Sequence, residues 1–122
     1  MARLAISIAF AVAALLIDGS ACAGDSAEIR HAYHSAQRCY VANGYLYSTF
    51  KNAGDLTNAD LFNAKAKHAF DAANGYAIFL NLSREQIEVD LDDATKRELP
   101  KLMSDKGYLT EVAKDCKFEG LM

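Results

Sequence analysis

Two histidines and a carboxylate have the spacing of one helical face in the first half of the chain. Glu28, His31 and His34 follow one another at intervals of three residues, so a helix would place them on neighbouring turns of the same side. Imidazole and carboxylate groups are common metal ligands. Arg30 and Arg38 lie nearby and would oppose a bound cation. We therefore interpret this face as solvated surface, keep His31 and His34 only as alternative metal ligands, and predict no metal and no other cofactor.

Acidic residues are concentrated between residues 83 and 98. This segment has six acids and three bases, and the difference equals the net charge of −3 of the whole chain. An acidic surface can attract a basic protein partner, whereas acids near a helix start are also favoured by the helix dipole. Calcium binding is a third alternative, although the spacing and glycine of a regular calcium loop are missing. The candidate partner contacts are Glu85, Glu88, Asp90, Asp92 and Asp93.

Three tyrosines at positions 33, 40 and 47 repeat at intervals of seven residues, which places them along one stripe of a helix. Such a stripe usually belongs to the core, and each hydroxyl then needs a hydrogen-bond partner. Alternatively, aromatic side chains from two helices could line a pocket for an apolar or aromatic ligand. The candidate pocket residues are Tyr33, Tyr40, Phe62, Phe70 and Tyr76.

The first 23 residues have the pattern of a secretory signal peptide. Arg3 precedes an apolar run at residues 4–17, and Ala21-Cys22-Ala23 supplies the small residues of a cleavage site, which predicts cleavage before Gly24. The apolar run is shorter than a membrane-spanning helix. An uncleaved anchor and a lipoprotein attached through Cys22 are the alternatives. We expect a periplasmic or secreted protein without a membrane span after cleavage.

Removal of those 23 residues from the 122 leaves 99, the size of one domain at residues 24–122. Of the three cysteines, Cys39 and Cys116 remain, and an even number in an exported chain predicts a disulfide bond. Two separate thiols are the alternative. Cleavage would remove Arg3 and Asp18 together, so the net charge of the remaining chain stays at −3. A negative net charge does not favour nucleic-acid binding. We expect a monomer.

Apolar periodicity predicts an all-helical fold class. A long central helix is expected over about residues 26–51, and a second helix over about 58–80. A third helix should start at Ser83, and Pro100 should end or kink a further segment near residue 99. The last helix is expected at about 108–117, which gives four to five helices around the first. The stripe that defines the central helix consists of Ile29, Tyr33, Ala36, Tyr40, Tyr47 and Phe50.

The tetrapeptide Ala-Asn-Gly-Tyr occurs at residues 42–45 and again at 73–76. Duplication and coincidence both explain the repeat. In either case its small residues predict that two helices cross closely there. Asn43 or Asn74 would then donate a hydrogen bond across the contact.

Taken together, these patterns favour binding over catalysis. The sequence has no Ser-containing nucleophile elbow, no redox Cys-x-x-Cys and no haem-attachment motif, and we predict no catalytic residues. The first hypothesis is an exported protein that acts by protein–protein binding, as an inhibitor, an immunity-type protein or an accessory subunit. The alternative is a periplasmic carrier of a small apolar or aromatic ligand, and an enzyme is the third possibility.

Overall fold

The computed structural model describes the backbone of residues 2–122 and the side chains of residues 26–122. Every regular element in this part of the chain is an α-helix: α1 (Ala2–Asn52), α2 (Leu56–Phe79), α3 (Arg84–Ser104) and α4 (Lys106–Phe118). The predicted all-helical fold class is confirmed, and four helices roughly match the predicted four to five. The predicted cleavage site and Cys22 lie outside the residues whose side chains are described. Among the described residues, no helix is long and apolar enough to cross a membrane.

Helix α1 contacts each of the other three helices. Tyr33 and Ala36 of the predicted stripe are fully buried, and so is Cys39 beside it. Val41 and Asn43 are buried as well, although they lie beside that stripe. The structure therefore agrees roughly with a central first helix, but the buried surface of this helix is wider than one stripe because neighbours pack on more than one side.

The contact between α1 and α2 is built on small side chains. Ala66, Ala69, Ala73 and Ala77 of α2 are all buried, and alanine lets two helix backbones lie close together. Gly54 makes the turn between the helices with a φ of 79°, a left-handed conformation that glycine adopts without a steric cost. The result is a tight antiparallel helix pair.

Helix α3 continues through Pro100, so the predicted helix end near residue 99 is wrong. A proline inside a helix costs about 3 kcal/mol, because it removes a backbone hydrogen bond. The continuation places Leu102 in the core with only 2% of its surface exposed, and burial of a leucine offsets much of that cost. In the last turn, the Ser104 hydroxyl donates to the Pro100 carbonyl at 2.8 Å. The predicted third and fourth segments are therefore one helix.

The C-terminal part of the chain is attached to α1 by covalent and polar contacts. The Sγ atoms of Cys39 and Cys116 lie 2.10 Å apart, at disulfide-bonding distance, and both residues are fully buried. The Asn43 side-chain amide donates to the Leu121 carbonyl at 2.8 Å. These two contacts hold α4 and the residues that follow it against the middle of α1.

The asparagine and the glycines of the repeated tetrapeptides do not have the predicted roles. Asn43 donates to the C-terminal segment and not to α2. A Cβ atom built on Gly44 or Gly75 would have no neighbouring atom within 4 Å, so neither glycine is needed for a close approach. The small residues of the tetrapeptides that are buried are the alanines, Ala42 and Ala73.

Candidate functional site

A groove of about 840 Å³ lies between α2 and α3 on the described surface. Both helices pack on α1, and a space is left between them above the C-terminal half of that helix. The lining positions on α1 extend from Tyr40 to Asn52, which is about 18 Å of helix. The other helices contribute residues 63–70 of α2 and residues 95–103 of α3.

Apolar and aromatic side chains form most of the groove. The rings of Tyr40 and Phe70 meet with centroids 5.5 Å apart, and Val41 is buried beneath them. Phe70 is 37% exposed and Met103 is 65% exposed. Large apolar side chains at the wall of a concave surface are typical of ligand-binding pockets.

Polar groups occur along the same groove. Ser48, Thr49, Asn52, Asn63 and Thr95 line it. The hydroxyls of Thr49 and Thr95 already donate to the backbone carbonyls one turn earlier, each at 2.9 Å. The remaining hydroxyls and amides can orient a bound molecule through hydrogen bonds.

The predicted pocket residues are only partly brought together. Tyr40 and Phe70 line the groove. Phe62 stacks on Phe50 instead, with ring centroids 5.5 Å apart. Tyr33 is fully buried and Tyr76 packs against the core. Residues that the sequence analysis did not select also line the groove, and they include Tyr45, Tyr47, Leu99 and Met103.

Tyr33 belongs to a polar network between α1 and α3 and not to the groove. Its hydroxyl donates to Asp90 at 2.8 Å and accepts from the Gln37 amide at 2.9 Å. The Gln86 amide donates to the other oxygen of Asp90 at 2.8 Å. Burial, together with the hydrogen bond to Asp90 and the charge of that carboxylate, raises the pKa of Tyr33 well above its usual range. Tyr33 therefore remains a neutral hydrogen-bond donor that links the two helices.

The five predicted partner contacts have different surroundings. Asp90 belongs to the network with Tyr33. Glu88 pairs with Arg84 at 3.6 Å, and Asp92 pairs with Lys96 at 2.8 Å. The hydrogen bond and the charge of Asp92 raise the pKa of Lys96. The two other acids, Glu85 and Asp93, are exposed.

An exposed apolar residue lies among these acids. Val89 is 54% exposed, and it lies one turn after Glu85 and one turn before Asp92 and Asp93 on the same side of α3. This acidic face of α3, defined as Glu85, Val89, Asp92 and Asp93, combines a small apolar centre with carboxylates around it.

His31 and His34 line a second, smaller cleft of about 200 Å³ with Ser35, Arg38, Arg97 and Glu98. In the described part of the chain, no three His, Cys, Asp or Glu side chains are grouped closely enough to hold a metal ion. Glu98 accepts a short hydrogen bond from Tyr108. The bond connects α3 to α4. Burial, together with this bond, raises the pKa of the Tyr108 hydroxyl.

Comparisons of this chain with protein-family models, with curated proteins and with solved structures found no match.

Proposed function

We propose that this protein binds small molecules with an apolar or aromatic surface in the groove between α1, α2 and α3. The observation that carries the proposal is the groove itself. Its volume of about 840 Å³ lies within the range of roughly 300–1,000 Å³ that is usual for ligand pockets. Its walls present the partly exposed Phe70 and Met103, whose apolar surface a ligand would remove from water.

The chemistry of the lining supports binding rather than catalysis. Its polar side chains are hydroxyls, amides and, among the described residues, one ammonium group. Such groups orient a ligand and supply specificity. The site is also held on helices, and the Cys39–Cys116 pair fixes the opposite side of α1 to α4. A rigid groove loses little conformational freedom when it binds.

The proposed place of action is the periplasm or the extracellular medium. The signal-like pattern of residues 1–23 supports this location. A buried cysteine pair at bonding distance is compatible with an oxidising compartment. In this setting the protein would act as a carrier of its ligand.

The groove is tested by filling it with one side chain. Decanol, a neutral apolar probe, should bind the wild-type protein with a measurable heat in calorimetry. Gly44 lines the groove, and a Cβ atom there has open space around it. The Gly44→Phe variant should therefore fold normally, because phenylalanine has a higher helix propensity than glycine. It should weaken decanol binding by roughly tenfold or more, about 1.4 kcal/mol.

The repeated tetrapeptide provides a matched control. Gly75 is exposed, also has open space, and does not line the groove. The Gly75→Phe variant should bind decanol as the wild type does. Equal binding by wild type and Gly44→Phe, with unchanged melting temperatures, would contradict the proposed site.

A second candidate function is protein binding through the acidic face of α3. The exposed Val89 among carboxylates favours it, because interfaces often combine an apolar centre with a charged rim. The partner would present basic residues around an apolar contact. Asp90 is removed from the predicted contact set, since the hydrogen bonds with Tyr33 and Gln86 give it a structural role.

Charge reversal tests this second candidate. The tagged wild-type protein is first used to capture a partner from the source cells. The affinity of this partner for the double variant Glu85→Lys, Asp93→Lys should be lower than for the wild type by roughly tenfold or more. Its binding should also depend on salt. The control is Asp60→Lys, Asp71→Lys, which makes the same charge change at exposed positions of α2. If both double variants bind alike, the acidic face is not the contact surface.

A further inference from the structure

The groove between α2 and α3 is apolar but carries a positive charge. Among the described residues that line it, Lys67 is the one that carries a formal charge. Lys67 is exposed on α2, and the ion pairs of residues 26–122 do not include it. Its ammonium group is therefore available to a molecule that enters the groove.

A second ammonium group lies beside the groove. Lys51 is placed over the ring of Tyr47, with its Nζ atom 5.5 Å from the ring centroid, and Tyr47 is a lining residue. This distance is within the range of a cation–π interaction. The contact keeps a positive charge next to the aromatic wall.

Carboxylates of the described residues do not line the groove. The described carboxylates are all outside the lining. Glu98 of α3 lies in the smaller cleft with His31 and His34, and Asp71 lies one turn after Lys67 on α2. The lining of the groove therefore has a formal charge of +1, although the chain has a net charge of −3. A local field of this kind selects the sign of a bound charge.

We propose that the ligand of this groove is an amphipathic monoanion, such as a fatty acid or an aromatic carboxylate. The inference rests on the proposed function, because it names the chemical class that the same groove binds. The apolar body would lie against Tyr40, Phe70 and Leu99. The anionic head would lie at Lys67, and Asn63, one turn earlier on the same side of α2, would donate a hydrogen bond to it.

Three probes with the same apolar chain separate the head group from the groove. Decanoate, decanol and decylammonium differ only in having a negative, neutral or positive head at neutral pH. Calorimetry on the full-length purified protein should give the tightest binding for decanoate and the weakest for decylammonium. We expect a difference of roughly fivefold between decanoate and decanol, as for an exposed ion pair. The difference should shrink in high salt.

Two variants assign this preference to Lys67. The Lys67→Glu variant should reverse the order of decanoate and decylammonium and leave decanol binding within about twofold of the wild type. Lys114→Glu makes the same charge change on α4, outside the groove, and should keep the order of the wild type.

The outcomes distinguish this inference from the proposed function. Equal affinity for decanoate and decanol, or the same order in Lys67→Glu as in the wild type, would overturn the anionic ligand while the groove remains a binding site. No binding of any of the three probes would overturn both. Binding of all three that is insensitive to Gly44→Phe would place the probes elsewhere and would likewise overturn both.

Discussion

Replacing Cys39 with alanine is expected to lower the free energy of unfolding by about 4 kcal/mol, the largest effect of any substitution considered for this protein. The sequence separation of Cys39 and Cys116 is 77 residues. A bond that closes so long a loop removes many conformations from the unfolded chain. Because small domains are stable by only about 5–15 kcal/mol, this bond would supply a large fraction of the total. Urea unfolding followed by circular dichroism measures the change.

The partner substitution provides the control. Cys116→Ala should cost about as much as Cys39→Ala, because either change removes the same bond. The double variant should cost little more than either single variant, since the second substitution has no bond left to remove. Costs that add fully in the double variant would show that the two cysteines act independently.

The second large effect is expected at Asn43. This residue is fully buried, and its amide donates to the Leu121 carbonyl at 2.8 Å. Asn43→Ala would leave that carbonyl without its partner, at a cost of about 1–3 kcal/mol. The Asn43 carbonyl oxygen is already buried without a hydrogen bond, so its removal relieves part of the cost. We expect a net loss of about 2 kcal/mol in urea unfolding.

Asn74 is the matched control because it occupies the same place in the second Ala-Asn-Gly-Tyr tetrapeptide. It is half-buried, and the side-chain hydrogen bonds of residues 26–122 do not involve it. Asn74→Ala should change stability by a few tenths of a kcal/mol at most, in the favourable direction, because alanine has the higher helix propensity. A loss at Asn74 equal to that at Asn43 would contradict the role of the Leu121 contact.

The sequence was sufficient to predict helices but not their limits. Apolar spacing identifies α1 and α2 because a buried stripe repeats with the helical period. The end of a helix depends on local rules that tertiary packing can override. Pro100 is the example: a local rule predicts a break, whereas the burial of Leu102 two residues later favours continuation. That burial involves helices distant in sequence, so the local pattern does not contain it.

The groove was predictable only in part, for a related reason. Periodicity places Tyr40 and Phe70 on the inner sides of α1 and α2, and both line the groove. Periodicity does not say where α3 lies, so it could not select Leu99 and Met103 as the third wall. Tyr33 shows the same limit. Its hydroxyl was expected to need a partner, but Asp90 is 57 residues away and no local pattern identifies it.

The most direct test of the groove as a binding site is an NMR measurement of intermolecular nuclear Overhauser effects between decanol and the protein. The side-chain methyl groups of Val41, Leu99 and Met103 all line the groove. If the account is correct, the decanol chain will show contacts to these three methyl groups, and the Gly44→Phe variant will lose them. Contacts only to the exposed Ile78 and other side chains outside the groove, or none with the folded protein, would contradict it.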